Sequence, residues 1–154
     1  MTAFTTAEDL AARAYDLLVA STSKPLGLTT DKILDYPLTP SDSTNLPLVA
    51  VYLTAGEVPI DPEEGSQIGA GCIATITIDI RCIADHPVRG TRPFREWVLA
   101  TLFPQEDPNV APNDTLGSLA FKTIYQGFKP YGDVKDDWEA GAYLTFDAHY
   151  FFGI

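Results

Sequence analysis

The sequence predicts an α+β domain in which two helices pack on one face of an antiparallel or mixed four-stranded sheet. Two segments carry this prediction because their apolar and polar residues alternate, as expected for strands with one buried face. They are "ATITIDIRC", residues 74–82, and "AYLTFDAHYFF", residues 142–152. Two other segments place apolar residues at helical spacing. Helices on only one side of an antiparallel sheet leave its other side polar, as these two strands require.

Each alternating segment divides into an apolar and a polar face. In the first segment the apolar face is Ala74, Ile76, Ile78, Ile80 and Cys82, and the polar face is Thr75, Thr77, Asp79 and Arg81. In the closing segment the polar face is Tyr143, Thr145, Asp147 and His149. We expect the apolar faces to form the core. The polar faces are then free to meet solvent, a substrate or another copy of the same chain.

The remaining elements follow from local patterns. A capping-box-like start, Thr5-Thr6-Ala7-Glu8, opens a first amphipathic helix that extends to about Ala20. A second helix is predicted over Arg92–Phe103, where Pro104 ends it. The segment "LPLVAVYLT", residues 46–54, is apolar on both faces and predicts an interior strand. The segment "LGSLAFKTIYQGF", residues 116–128, predicts the fourth strand.

We expect a single domain over residues 1–154. It comprises the N-terminal helix in 1–20, an irregular Pro-rich segment in 21–45, and the sheet with the second helix in 46–154. Two polar arms, residues 54–71 and 129–140, interrupt hairpins that shorter turns could have closed. Because such loops often carry binding surfaces, both arms are candidate contact regions.

Composition excludes several classes of protein. Hydrophobic residues make up 45% of the chain, which excludes general disorder, and no apolar run is long enough to cross a bilayer. The N-terminus has no basic start, so synthesis in a cytoplasm is expected. The formal net charge is −11. Binding along a phosphate backbone needs the opposite sign, so nucleic acid is not an expected ligand.

Residues suited to catalysis are few. Cys72 and Cys82 are interpreted as small core residues, and His86 as a polar loop residue. Asp147 and His149 are neighbours on one polar strand face, where a hydrogen bond between them needs no catalytic account. With two histidines and no closely spaced cysteine pair, we expect no transition-metal site, no cofactor and no catalytic centre.

The order of these features resembles the tail terminator proteins of long-tailed bacteriophages, of the minor tail protein U type. The resemblance covers residues 46–152. It rests on the Leu-Pro-x-Val-x-Val-Tyr strand, an acidic arm, a one-sided strand, a Trp-bearing helix and the closing "YQGFKPYGDVKDDWEAGAYLTFDAHYFF". The chain departs from the family in residues 21–45 and in the "ADHPVRGT" connection.

The resemblance implies a structural, non-enzymatic protein at the head-proximal end of a viral tail. Its subunits would form a ring, typically a hexamer, that caps the tail tube, stops tail polymerisation and offers a docking surface to a head-tail connector protein. DNA would pass through the lumen without specific binding, and no membrane would be involved. A strongly acidic lumen wall suits this passage.

Ten residues are candidates for contacts with a neighbouring subunit, with the tube or with the ring lumen. They are Glu57, Asp61, Glu63 and Glu64 in the first arm, Asp79 and Arg81 on the polar strand face, and Asp133, Asp136, Asp137 and Trp138 in the second arm. Three alternatives remain open: another head-tail joining or tail-completion protein, a small α+β hydrolase using His149 with Asp147 and a cysteine or water, and a monomeric ligand-binding module.

Overall fold

The computed structural model describes residues 4–38, 46–65, 67–84, 86–104, 116–133 and 139–153. Two helices and five strands follow one another along the chain. They are α1 (Ala7–Ala20), β1 (Ile33–Leu34), β2 (Leu48–Pro59), β3 (Gly71–Ile83), α2 (Pro87–Leu102), β4 (Lys122–Asp133) and β5 (Glu139–Phe151), with a short 3-10 helix at Thr30–Lys32. The fold is α+β, as predicted.

The five strands form one mixed sheet in the order β1-β2-β3-β5-β4. Only β1 and β2 are parallel, and the other neighbours are antiparallel. The prediction of four strands was therefore wrong by one. The additional strand is two residues long and lies in the Pro-rich segment, where a short apolar island offers too few residues for an alternating pattern.

Helix α1 begins at a cap one residue later than the predicted capping box. Thr6 is the N-cap, and the carboxylate of Asp9 accepts hydrogen bonds from the Thr6 backbone N–H at 2.7 Å and from its hydroxyl at 3.2 Å. Thr5 and Glu8 have the residue types and the three-residue spacing of a capping box as well. Thr6 and Asp9 place the apolar face of the helix against the sheet, with Leu10, Ala14 and Leu18 buried.

Helix α2 begins five residues before its predicted start. His86, expected to be a loop residue, is the N-cap, and its Nδ1 accepts a hydrogen bond from the Arg89 backbone N–H at 3.4 Å. Pro87 occupies the first helical turn, where the missing N–H costs nothing. The apolar face of the helix is buried and comprises Phe94, Trp97, Val98 and Leu102.

Strand pairing continues into both polar arms. Strand β2 continues to Pro59 with two register shifts and pairs with β3 down to Cys72. Strands β4 and β5 remain paired as far as Asp133 and Glu139. The first arm was expected to be a loop or a long hairpin, and the hairpin is observed.

The core lies between the helices and one face of the sheet. It contains the predicted apolar face of β3 and, from β5, Ala142, Leu144, Phe146 and Ala148. Both cysteines are buried and reduced, as predicted. The Cys82 thiol donates to the Gly90 carbonyl oxygen at 3.4 Å, and burial raises its pKa to about 11. At neutral pH it is a protonated core thiol.

Candidate interaction surfaces

The face of the sheet opposite the core carries the predicted polar residues of β3 and β5. We call it the helix-free face because both helices pack on the other side, where for example Phe103 meets Phe146 edge to face at 5.6 Å. Strand pairing places the alternating residues of neighbouring strands side by side, so Asp79 lies beside Tyr143 and Thr75 lies beside Asp147. The two ends of this face differ in how their charged groups are held.

At one end a charged cluster is buried within the chain. Asp79 is 2% exposed and Arg81 is 8% exposed. The Tyr131 hydroxyl donates a short hydrogen bond to Asp79 Oδ1, and Arg81 Nε donates to the Tyr131 hydroxyl oxygen at 3.4 Å. Arg81 Nε also lies 3.0 Å from Glu139 Oε1. We call these four residues the Asp79 cluster.

The ring of Tyr131 covers the cluster. It stacks on Tyr143 with ring centroids 4.5 Å apart and lies directly over Gly141. A Cβ atom at position 141 would sit 2.1 Å from the Tyr131 ring, a distance that no real contact tolerates. Glycine at 141 is therefore what allows an aromatic side chain from β4 to lie flat across β5 and exclude water.

Burial controls the ionisation of Asp79. It is the main cause that raises the pKa of this carboxyl to about 6, and the Glu139 charge adds to it. The hydrogen bond from Tyr131 and the charge of Arg81 oppose the rise. Burial and the bond to Asp79 also raise the pKa of Tyr131. The cluster thus keeps one carboxyl close to its titration point near neutral pH.

At the other end of the helix-free face, hydrogen bonds cross all four long strands. Thr54 and Thr77 hydroxyls lie 3.2 Å apart, and Thr54 also donates to the Thr75 carbonyl oxygen at 3.1 Å. The Thr75 hydroxyl donates to Asp147 Oδ1 at 2.8 Å, and Gln126 Nε2 donates to Asp147 Oδ2 at 3.1 Å. We call these bonds the polar ladder. Thr54 and Gln126 are exposed, and Thr75 and Asp147 are half-buried. Thr77 is buried beside the exposed Thr54.

The four acidic candidates of the first arm are together and exposed. Glu57 is on β2, and Asp61, Glu63 and Glu64 occupy the turn that follows it. The Asp61 carboxylate accepts a hydrogen bond from the Glu63 backbone N–H at 3.0 Å, so the turn has a defined shape. These residues form an acidic projection of the β2–β3 hairpin.

The other six candidates fall in three groups. Asp79 and Arg81 were expected to face a lumen or neighbour, and that expectation of exposure was wrong because Tyr131 covers them. Asp133 is the last residue of β4, opposite Glu139. Asp136, Asp137 and Trp138 lie outside the described residues.

Sequence reasoning missed the residues that complete the Asp79 cluster. Tyr131 and Glu139 lie in a segment interpreted as a polar connection, so their strand pairing was not considered. A usable signal was present in Gly141, a glycine that interrupts the start of a strand. Such a glycine often marks the close approach of a neighbouring group.

The structure separates the residues of the proposed hydrolase site. Cys82 points into the core, whereas Asp147 and His149 lie on the helix-free face. Asp147 is bonded to Thr75 and Gln126, and His149 meets the Phe121 ring edge to face at 6.0 Å.

Within the described ranges, no group of three or more His, Cys, Asp and Glu side chains is gathered where it could hold a metal ion. No described helix is long and apolar enough to span a bilayer.

The outer edge of β4 carries an aromatic and basic surface. Its side chains, which we call the β4 edge patch, are Phe121, Lys122, Tyr125, Phe128, Lys129 and Phe151, the last contributed by β5. All six are exposed, and the Phe121 and Phe151 rings are 4.7 Å apart. The guanidinium of Arg95 lies 3.9 Å above the Phe128 ring. Strand pairing places Lys122 and Lys129 on the helix-free face and Tyr125 and Phe128 on the helix side, so the patch wraps around the edge of the sheet. Exposed aromatic side chains at such an edge are typical of protein contact surfaces.

Comparison with known proteins gives one informative result. No protein-family model matches this sequence, and no curated protein matches it. Among solved structures, a chain of the "Virion of native gene transfer agent (GTA) particle" superposes with a TM-score of 0.58. The alignment covers 91% of this chain and 92% of that chain, with 17% sequence identity. The two chains therefore share a fold over nearly their whole length.

Proposed function

We propose that this chain is a structural protein of a phage-like virion, and that it forms a ring that caps the tail tube. The observation that carries the proposal is the fold shared with a chain of a gene transfer agent virion over 91% of this sequence. The resemblance of residues 46–152 to tail terminators supplies the specific role. The ring would stop tail polymerisation and present a docking surface to the head side.

The described surface favours assembly over catalysis. An enzyme gathers polar groups in a pocket, whereas the charged and polar residues of the candidate surfaces are spread along a sheet face, a hairpin and a strand edge. The Asp79 cluster is sealed by Tyr131 and therefore rigidifies the sheet rather than meeting a substrate. A rigid sheet with long hairpins suits a subunit that must copy the geometry of a tube end.

The charge of the chain agrees with a DNA passage. Each subunit carries a formal net charge of −11, and a hexamer would carry six times this charge. Phosphate groups would be repelled from such a lumen wall, so DNA could move through without being held.

Loss of the protein should change tail length. In particles produced from a genome in which this gene carries an early stop codon, we expect tail tubes of uncontrolled length and heads without tails, seen by negative-stain electron microscopy. Expression of the wild-type chain from a plasmid is the control and should restore tails of uniform length. Tails of normal length that simply fail to join heads would instead indicate a head-tail joining protein. Normal particles would contradict any role in the tail.

A further inference from the structure

We infer that the β4 edge patch of one subunit binds the acidic β2–β3 hairpin of a second copy of this chain. This inference rests on the proposed ring and names the contact that would build it. The hairpin tip is defined here as residues 57–65 with 67–68. The two surfaces match in charge and in apolar content, and the start of the β4 edge patch lies at the same end of the strands as the hairpin tip.

Charge complementarity is the first argument. Residues 54–71 contain four acids, Glu57, Asp61, Glu63 and Glu64, and no lysine or arginine. Residues 119–132 contain Lys122 and Lys129 and no acid. Arg95 on α2 adds a third cation beside the β4 edge. In a chain with more than twice as many acids as bases, this separation gives the subunit a negative and a positive flank, which steer two copies into a head-to-tail contact.

Both surfaces also expose apolar side chains among their charges. Val58, Ile60 and Ile68 of the hairpin tip are 45%, 43% and 70% exposed. On the β4 edge patch, Phe121 and Phe151 are 46% and 49% exposed and pack against each other with their rings tilted by 32°. An apolar centre with a charged rim is the usual composition of a protein interface. Two surfaces of opposite charge with this composition can bury each other's apolar groups.

The geometry of the sheet puts the start of the β4 edge patch, with Lys122 and Phe151, at the same height as the hairpin tip, whereas Lys129 lies toward the other end of the strands. Pro59 pairs with Cys72, Gly71 pairs with Phe151, and Lys122 pairs with His149. The hairpin tip and the start of β4 therefore lie at the same end of the strands, on opposite flanks of the sheet. A head-to-tail contact closes into a ring only when successive copies are related by a rotation without a shift along the ring axis, and surfaces of equal height along the strands fit this condition.

The β4 edge is built for side-chain contacts rather than for strand addition. A register shift between Tyr125 and Gly127 and the proline at 130 interrupt its outer row of backbone groups. Such features prevent indiscriminate edge-to-edge pairing. Specificity at this edge must therefore come from the aromatic and basic side chains, which select the acidic hairpin.

Charge reversal tests the contact. The edge variant carries Lys122→Glu with Lys129→Glu, and the tip variant carries Glu63→Lys with Glu64→Lys. Each variant alone faces its own copies with like charges, so we expect self-association to weaken at least about tenfold. In an equimolar mixture the two variants can alternate around the assembly. The acidic edge of the edge variant then meets the basic tip of the tip variant, and the basic edge of the tip variant meets the acidic tip of the edge variant. Light scattering after size-exclusion chromatography measures the masses, and native mass spectrometry should find even-numbered assemblies with equal numbers of the two variants.

A matched control changes charge elsewhere. Lys32→Glu with Arg89→Glu alters the net charge by the same amount as the edge variant but touches neither surface, so its self-association should stay close to that of the wild-type protein. Circular dichroism checks that every variant is folded.

A wild-type oligomer whose variants associate normally, or whose mixture is not rescued, would overturn this contact and leave the ring proposal intact. A wild-type chain that stays monomeric at every concentration would overturn it too. The tail-length experiment then decides the proposed function independently.

Discussion

The two ends of the helix-free face hold their charged groups in opposite ways. At one end Asp79 and Arg81 are sealed beneath the Tyr131 ring, and their partners come from two strands, β4 and β5. At the other end Asp147 is bonded by Thr75 and Gln126 but remains partly open to water. Both ends have the same alternating sequence pattern. The comparison shows that alternation determines which face a residue occupies, whereas the neighbouring strand determines whether that residue is buried.

The largest expected effect comes from removing the cation of the sealed end. Arg81→Met leaves Asp79 and Glu139 in the cluster without their positive partner. Breaking a buried pair in this way costs about 3–5 kcal/mol, and the partial exposure of Glu139 favours the lower value. Urea unfolding followed by circular dichroism measures the loss.

The exposed pair Arg92–Glu96 on α2 provides the matched control for this change. Its atoms are 2.8 Å apart, but the two side chains are 71% and 64% exposed. Arg92→Met should therefore leave the unfolding midpoint unchanged, because an exposed ion pair contributes almost nothing. Equal losses in the two arginine variants would contradict the assignment of Arg81 to a buried cluster.

The next effect concerns the aromatic cover itself. In Gly141→Ala the new methyl group occupies the position of the Tyr131 ring, which must move away from Tyr143 and Asp79. We expect a loss of about 2–3 kcal/mol from this overpacking, together with a weaker near-ultraviolet circular dichroism signal from the tyrosine pair. Gly127→Ala is the control because no atom lies within 4 Å of its added methyl group. It is strained by its positive φ of 101° but should keep the tyrosine signal. If Gly141→Ala kept that signal, Tyr131 would not be the cover.

The pH dependence of the sealed end follows from the raised pKa of Asp79. Its ordinary value of 3.8 applies to the unfolded chain, and the folded value is about 6. Between these values the folded state binds the additional proton, so acidification from pH 7 to pH 4 stabilises the fold, by about 3 kcal/mol at most. The groups that face Asp79 are Arg81, Tyr131, Tyr143, Tyr52 and Glu139.

Asp79→Asn isolates this contribution. An asparagine can still accept the hydrogen bond from Tyr131 but does not titrate. The unfolding free energies of both proteins are measured at fixed protein concentration from pH 4 to pH 7.5. The wild-type value minus the Asp79→Asn value should fall as pH rises through 6. A difference that is flat with pH would mean that Asp79 titrates normally and that the cover admits water.

Much of the fold could be predicted from sequence, and the reasons are physical. Alternation in residues 74–82 and 142–152 has a period of two, which no helix satisfies, so both strands and their buried faces were predicted correctly. The helix around Trp97 was equally clear, although its start was placed late because His86 and Pro87 were interpreted as a turn.

The interaction surfaces could be predicted only in part. The acidic hairpin was evident because four acids follow one strand without a base between them. The burial of Asp79 was not predicted because it depends on Tyr131, which lies 52 residues further along the chain and reaches it through the pairing of β4 with β5. Long-range pairing of this kind leaves no periodic trace in either segment.

The smallest expected effect belongs to the open end. Thr75→Val removes the hydroxyl that donates to Asp147 but keeps the shape and strand preference of the side chain. Because Asp147 retains its bond from Gln126 and can recruit water, we expect a loss of about 0.5–1.5 kcal/mol, well below that of Arg81→Met. Thr145→Val on the same face is the control, since its hydroxyl makes no hydrogen bond within the described part of the chain. Urea unfolding at pH 7 compares the two. A Thr75→Val loss as large as that of Arg81→Met would mean that the two ends of the face are held alike, because only a sealed carboxylate is so sensitive to the loss of one donor.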